Sequence, residues 1–215
     1  GVMEGRRTFG NITKYIKMGT SSAFGNMFSM LGASMMLPFL PMLPVQILLN
    51  NLLYDFSQTG IPFDRVDSDY LKLPRKWKVS DLKNFMVFIG PVSSLFDYAT
   101  FALMWFVFDA NTVESQALFQ TGWFVESLMT QTLIVHIIRT AHVPFFQSNP
   151  APLMAAITLV VMAIGIAIPF TPIGSALGMV HLPLAYFAWL TVILLCYCLL
   201  TQLVKAWYVR RFGYS

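Results

Sequence analysis

The chain has 215 residues, of which 56% are hydrophobic and 11% charged, with a formal net charge of +4. A soluble domain of this length carries roughly 25% charged residues, and a larger core cannot absorb the shortfall because a domain of this size still needs a polar surface. Composition therefore excludes an ordinary water-soluble globule and points to lipid as the solvent.

Residues 1–17 are polar and basic, with Arg6, Arg7, Lys14 and Lys17. They read as a stalk that runs directly into an apolar helix, and Gly1 falls inside that element. A targeting presequence is disfavoured by Glu4 and by this direct run, and no cleavage pattern follows. Six apolar stretches then approach the roughly 20 residues a helix needs to cross the hydrocarbon, near residues 18–37, 41–58, 84–108, 117–138, 152–170 and 183–207. Pro38, Pro41 and Pro44 crowd the start of the second, where proline suits the connection and the first helical turn. The expected fold is an all-α integral membrane protein, a bundle of six transmembrane helices.

Orientation follows from the basic residues. Besides the four in the stalk, Arg65, Lys72, Arg75, Lys76, Lys78 and Lys83 lie between the second and third stretches. Arg139 follows the fourth, and Lys205, Arg210 and Arg211 close the sixth. All 14 Lys and Arg residues thus fall on one side of a six-span chain, which the positive-inside rule makes the cytoplasm, with both termini inside. The opposite loops carry only Asp109 and Glu114. The positive charge needs no nucleic-acid partner, since a cytoplasmic face meets anionic headgroups of the bilayer.

Three of the ten acidic residues, Asp55, Asp97 and Glu126, fall within the apolar stretches. A carboxylate in the membrane costs a few kcal/mol or more and marks an ion path or an internal partner. No basic residue lies deep enough to pair with them, which leaves protonation, a bound cation or water to compensate. Asn51 and Asp55 are four apart, on one helical face. Ser22, Asn26 and Ser29 make a polar stripe on the first stretch. Ser93, Ser94, Asp97 and Thr100 make one on the third, and Gly122, Glu126 and Thr130 share a face of the fourth, with Gln131 on a neighbouring face. Small and hydroxyl residues in such stripes also mediate helix packing, and Asp97 and Glu126 can equally serve as protonated groups that lock helices together. The candidate cation ligands are Asp55, Asn51, Asn26, Asp97 and Glu126.

The fifth and sixth stretches contain no charge before Lys205 and read as scaffold. The chain accordingly divides into a cytoplasmic stalk (1–17), four polar-striped spans forming an ion path (18–138), and two scaffold spans with a basic tail (139–215). Cys196 and Cys198, two apart on one helix, point to different sides and read as packing residues. His136 reads as an interfacial side chain, and His142 and His181 lack metal-ligand spacing.

Several runs resemble P-type ATPases. Glu4-Gly5-Arg6, followed by Phe9, Asn11, Lys14 and Tyr15, is similar to the stalk entering their fifth membrane helix. PMLPVQILLNNLLYD at 41–55 is similar to their sixth. LPRKWK at 73–78, GPVSSLFDYATFALMW at 90–105, ALFQTGWFVES at 117–127 and the final RRFG resemble the magnesium-transporting branch. The resemblance covers essentially the whole chain and matches helices five to ten of a ten-helix pump. It implies that Asn51 and Asp55 are ion ligands on the sixth helix and that Asn26 stands where calcium pumps have a ligating glutamate. Ala23 and Tyr54 depart from the calcium-pump pattern as well. Fewer carboxylates agree with Mg²⁺, which dehydrates reluctantly and often keeps several waters.

The resemblance also implies that Mg²⁺ is the transported ion, imported across a bacterial inner membrane. ATP would be hydrolysed by a cytoplasmic head of the same polypeptide, which makes the full-length protein an enzyme. This chain contains no Asp-Lys-Thr-Gly phosphorylation motif and no Gly-rich phosphate loop. The alternatives are a pump for another cation, such as Ca²⁺ or H⁺, and a six-span secondary transporter or membrane scaffold. Residues 1–108 and 109–215 do not match as the internal repeats common in secondary transporters.

Overall fold

In a computed structural model the chain is all-helical, and the structure describes residues 1–76 and 78–213. Trp77 of the LPRKWK run and the last two residues of the basic tail, Tyr214 and Ser215, lie outside the described residues. Helix α1 runs unbroken over Val2–Met36, so the stalk and the first apolar stretch are one rod. It ends at Leu37, held extended (φ −95°, ψ 141°), because the residue before a proline is driven out of the helical region.

Helix α2 (Pro44–Gln58) starts on a proline, whose fixed φ suits the first turn. Pro38 and Pro41, ahead of it, keep the chain from 38 to 43 out of the helix, leaving it three residues shorter than the expected stretch at 41–58. A 3₁₀ turn at Ile61–Phe63 and the short helix α3 (Ser68–Lys72) lead into α4 (Val79–Phe106), which carries Pro91 internally. Next come α5 (Gln116–Ile138), α6 (Pro152–Ala167), a 3₁₀ turn at Ile168–Phe170, the short α7 (Pro172–Ala176) and α8 (Leu184–Phe212).

Three helical segments among the described residues are long and apolar enough to cross a membrane: Val79–Phe106, Pro152–Phe170 and Leu184–Phe212. The more polar α5 has a physical reason for its composition. It is the central post, packed against α1, α2, α4, α6 and α8, and nearly every one of its side chains is buried. Its Thr, Gln and Glu side chains meet other helices, so neither lipid nor water dictates its sequence.

The seam between α1 and α4 is built from small residues. Ser94 Oγ donates to the Gly25 carbonyl at 2.8 Å, and a Cβ on Gly25 would stand 2.8 Å from the Gly90 carbonyl oxygen. Backbones this close need glycine on both sides. Cys196 is exposed and Cys198 half-buried, both as free thiols.

Candidate functional site

The polar stripes of α1, α4 and α5 meet inside the bundle. Asp97, 2% exposed on α4, accepts from Ser29 Oγ of α1 at 2.5 Å and from Trp123 Nε1 of α5 at 2.8 Å. One carboxylate therefore ties three helices. Glu126 is fully buried one turn along α5 from Trp123 and interacts electrostatically with Asp97, while neither of its carboxyl oxygens has a hydrogen-bond partner of good geometry among the described residues. Tyr186 of α8 closes this layer by donating its hydroxyl to the Gly122 carbonyl at 2.5 Å.

A second layer joins α1 to α5. Gln131 Nε2 donates both to Asn26 Oδ1 at 3.1 Å and to Ser127 Oγ at 2.8 Å. Asn26 is half-buried and Gln131 is buried.

Asn51 and Asp55 stand apart from both layers. They share one face of α2, as their spacing requires, and both are exposed. The opposite face carries the packing amides. Asn50 Nδ2 donates to the Phe124 carbonyl at 3.2 Å, and Gln46 Nε2 to the Leu177 carbonyl at 3.0 Å. Asp55 borders a cleft of 490 Å³ between the early turns of α1 and the end of α2, where Glu4, Arg7, Tyr15, Gln58 and Thr59 also contribute. No hydrogen bond joins Asn51 or Asp55 to Asn26, Asp97 or Glu126, and no group of three His, Cys, Asp or Glu side chains that could hold a metal occurs among the described residues.

The basic end of the bundle holds a cluster that sequence reasoning missed. Asp64, in the loop after α2, is fully buried and accepts from Lys14 Nζ at 2.7 Å, from Arg139 at 3.5 Å and from the Ala151 backbone N–H at 3.1 Å. Asp67 accepts from Ser148 Oγ at 2.7 Å and from Thr140 Oγ1 at 2.5 Å. Lys205 is also buried, and its ammonium donates to the carbonyls of Ile137, Thr140 and His142 at 2.7, 3.1 and 2.8 Å. A cation from α8 thereby serves one of the carbonyls that the last turn of α5 leaves without a helical partner, together with two from the loop that follows. Burial pulls Lys14 below the ordinary lysine range against the opposing pull of Asp64, and it lowers Lys17 to about 8.

His136 is buried, not interfacial as its sequence position implied, and shares a 2.8 Å hydrogen bond with Thr158 Oγ1. The only sequence trace of the Asp64 cluster was the density of charge in the loops, which says nothing about which loops fold over one another.

The structure thus offers a buried carboxyl layer, an amide layer and an exposed Asn-x-x-x-Asp face as the candidate site. Residues 39–207 match the family described as "Cation transporting ATPase, C-terminus", and the chain belongs to this family. Two relatives named "Magnesium-transporting ATPase, P-type 1", from Salmonella typhimurium and Escherichia coli, are each 58% identical over 215 residues, the whole of this chain. A further Salmonella typhimurium protein of that name is 54% identical over 213 residues, 99% of the chain. The chain spans 24% of the length of each of these relatives.

Proposed function

We propose that this chain is the ion-translocating membrane part of a P-type ATPase that imports Mg²⁺. The observation that carries this reading is identity of 58% along the whole chain with proteins named as magnesium-transporting ATPases. The exposed Asn51 and Asp55 face supports it from the chemistry. A carboxylate beside an open cleft and an amide oxygen one turn away from it offer few direct ligands. Few ligands suit an ion that keeps much of its water.

In this reading the chain forms six spans in a bacterial inner membrane, with both termini in the cytoplasm. Segregation of all 14 basic residues supports that orientation. Residues 1–17 form the stalk, 18–138 the ion path, and 139–215 two scaffold spans and the tail. ATP is hydrolysed by a head elsewhere in the same polypeptide, and its work enters through α1. Asp55 and Asn51 are the principal ligands, Asn26 lines the path, and Asp97 and Glu126 form its buried acidic layer.

The test is Asp55→Asn in the full-length protein, assayed as Mg²⁺ uptake by cells that lack other Mg²⁺ uptake systems. Loss of uptake with normal membrane levels is expected. Uptake equal to the parent's would remove Asp55 as principal ligand.

A further inference from the structure

The one atom of the Asn26 amide that can hold a cation, its oxygen, is already engaged inside the bundle. Its Oδ1 is engaged by Gln131 at 3.1 Å, while its Nδ2 makes no hydrogen bond among the described residues. Cations are bound by oxygen lone pairs, and an amide NH₂ offers only donors. Gln131 is 5% exposed and directs its Nε2 to Asn26 Oδ1 and Ser127 Oγ, leaving its own Oε1 buried without a partner. Buried acceptors are normally satisfied, so this oxygen, like several other buried polar atoms of the bundle, is an anomaly.

The anomaly has a simple chemical complement. A side-chain amide presents oxygen at one end and NH₂ at the other in nearly the same volume. Suppose both amides turn over. Asn26 Nδ2 then donates to Gln131 Oε1, Ser127 rotates its hydroxyl to donate to the same oxygen, and Asn26 Oδ1 is freed. The links from Asn26 to Gln131 and from Gln131 to Ser127 survive with reversed polarity. The cost is that a lone buried amino group replaces a lone buried carbonyl, an expense met when a cation takes the released oxygen.

We infer that Asn26, Gln131 and Ser127 form a reversible amide relay in which Gln131, as a positioning residue, masks the Asn26 oxygen until a cation arrives. The relay rests on the reading of Asn26 as part of the cation path. It makes Gln131 a determinant of apparent Mg²⁺ affinity without contact between Gln131 and the ion.

The experiment measures KM and kcat for Mg²⁺ transport by the full-length protein in proteoliposomes. Gln131→Glu substitutes a group that accepts but, ionised, does not donate, so it cannot mask Asn26 Oδ1. KM is expected to fall by about threefold to tenfold, the range of one hydrogen bond. In an Asn26→Ala background the same substitution should change KM by less than about twofold, because the relay acts only through Asn26. An unchanged or raised KM overturns the relay. So does an equal fall in the Asn26→Ala background, which would reveal plain charge attraction.

If the Gln131→Glu protein fails to assemble, Gln131→Met replaces it as an uncharged side chain equally unable to mask, and a KM above the parent's overturns the relay. Asn26→Ala alone tests the underlying reading. An unchanged KM there removes Asn26 from the path, and the relay with it. A raised KM combined with a failed Gln131 arm leaves the path intact and removes only the relay.

Discussion

Lys14 Nζ and Asp64 Oδ2 meet at 2.7 Å, with side chains only 6% and 0% exposed. The pair fastens the stalk helix to the loop after α2, and Arg139 approaches the same oxygen from the end of α5. Removing one member of a buried ion pair leaves its partner uncompensated and costs about 3–5 kcal/mol, whereas replacing both by apolar groups is often neutral. Asp64→Ala is therefore expected to lower the unfolding midpoint in detergent strongly. Lys14→Met with Asp64→Leu should cost clearly less than the sum of the two single changes. Additive losses would mean that the two residues act independently.

Asp97 is held by donors from two other helices, and Trp123→Phe removes one of them while keeping an aromatic ring in place. Trp123→Phe leaves Oδ1 buried without that donor, at about 1–3 kcal/mol. Asp97→Ala leaves two buried donors, Ser29 and Trp123, without their acceptor, so it is expected to cost more. Thermal unfolding followed by tryptophan-independent dye fluorescence ranks the two. The reverse order would exclude Asp97 as the tie between α1, α4 and α5.

Glycines along α1 divide sharply by surroundings. A Cβ on Gly25 would press on the Gly90 carbonyl, while one on Gly5 would meet nothing within 4 Å. Gly25→Ala is expected to destabilise by about 1–3 kcal/mol through overpacking. Gly5→Ala should be neutral or stabilising by up to about 1 kcal/mol, since alanine is the better helix former. Equal effects on the unfolding midpoint would contradict the close seam between α1 and α4.

Lys17 carries a pH signature. Burial lowers it from 10.5 to about 8, with Asp81 pulling it up and Arg75 pushing it further down. Between those two values the unfolded chain holds the proton that the folded chain has released. Stability contributed by this group therefore rises with pH across that window, and the burial penalty is fully present below it. Lys14 is shifted in the same direction. Lys17→Met should raise the unfolding midpoint at pH 7 and flatten its rise between pH 8 and 10. An unchanged slope would show that Lys17 is solvated.

Each of the six apolar stretches coincides with a helix, because their lengths and proline boundaries are local properties. Gln116–Ile138 differs from the expected 117–138 by one residue, whereas α1 absorbs the whole stalk because no helix breaker occurs before Pro38. Faces within one helix were legible too, as with Asn51 and Asp55. Pairings between helices were not. Nothing in the spacing told that Ser29 would meet Asp97, or that Gln131, on the neighbouring face of α5, would reach Asn26. The basic end was least legible. Arg139 and Lys205 could be assigned to the cytoplasmic side from the sequence, but not their burial, at 1% and 0% exposure.

The unbroken course of α1 turns the buried Lys14–Asp64 ion pair into a fulcrum. At 1.5 Å per residue, Lys14 lies about 18 Å from Val2 and about 18 Å from Asn26. A rigid beam pivoting there has equal arms, so a tilt imposed on the first turn reaches Asn26 with the same amplitude and the opposite sense. Movement of the stalk toward the cleft beside Asp55 would swing Asn26 away from that side, and the helix would need neither to unwind nor to slide along the glycine seam.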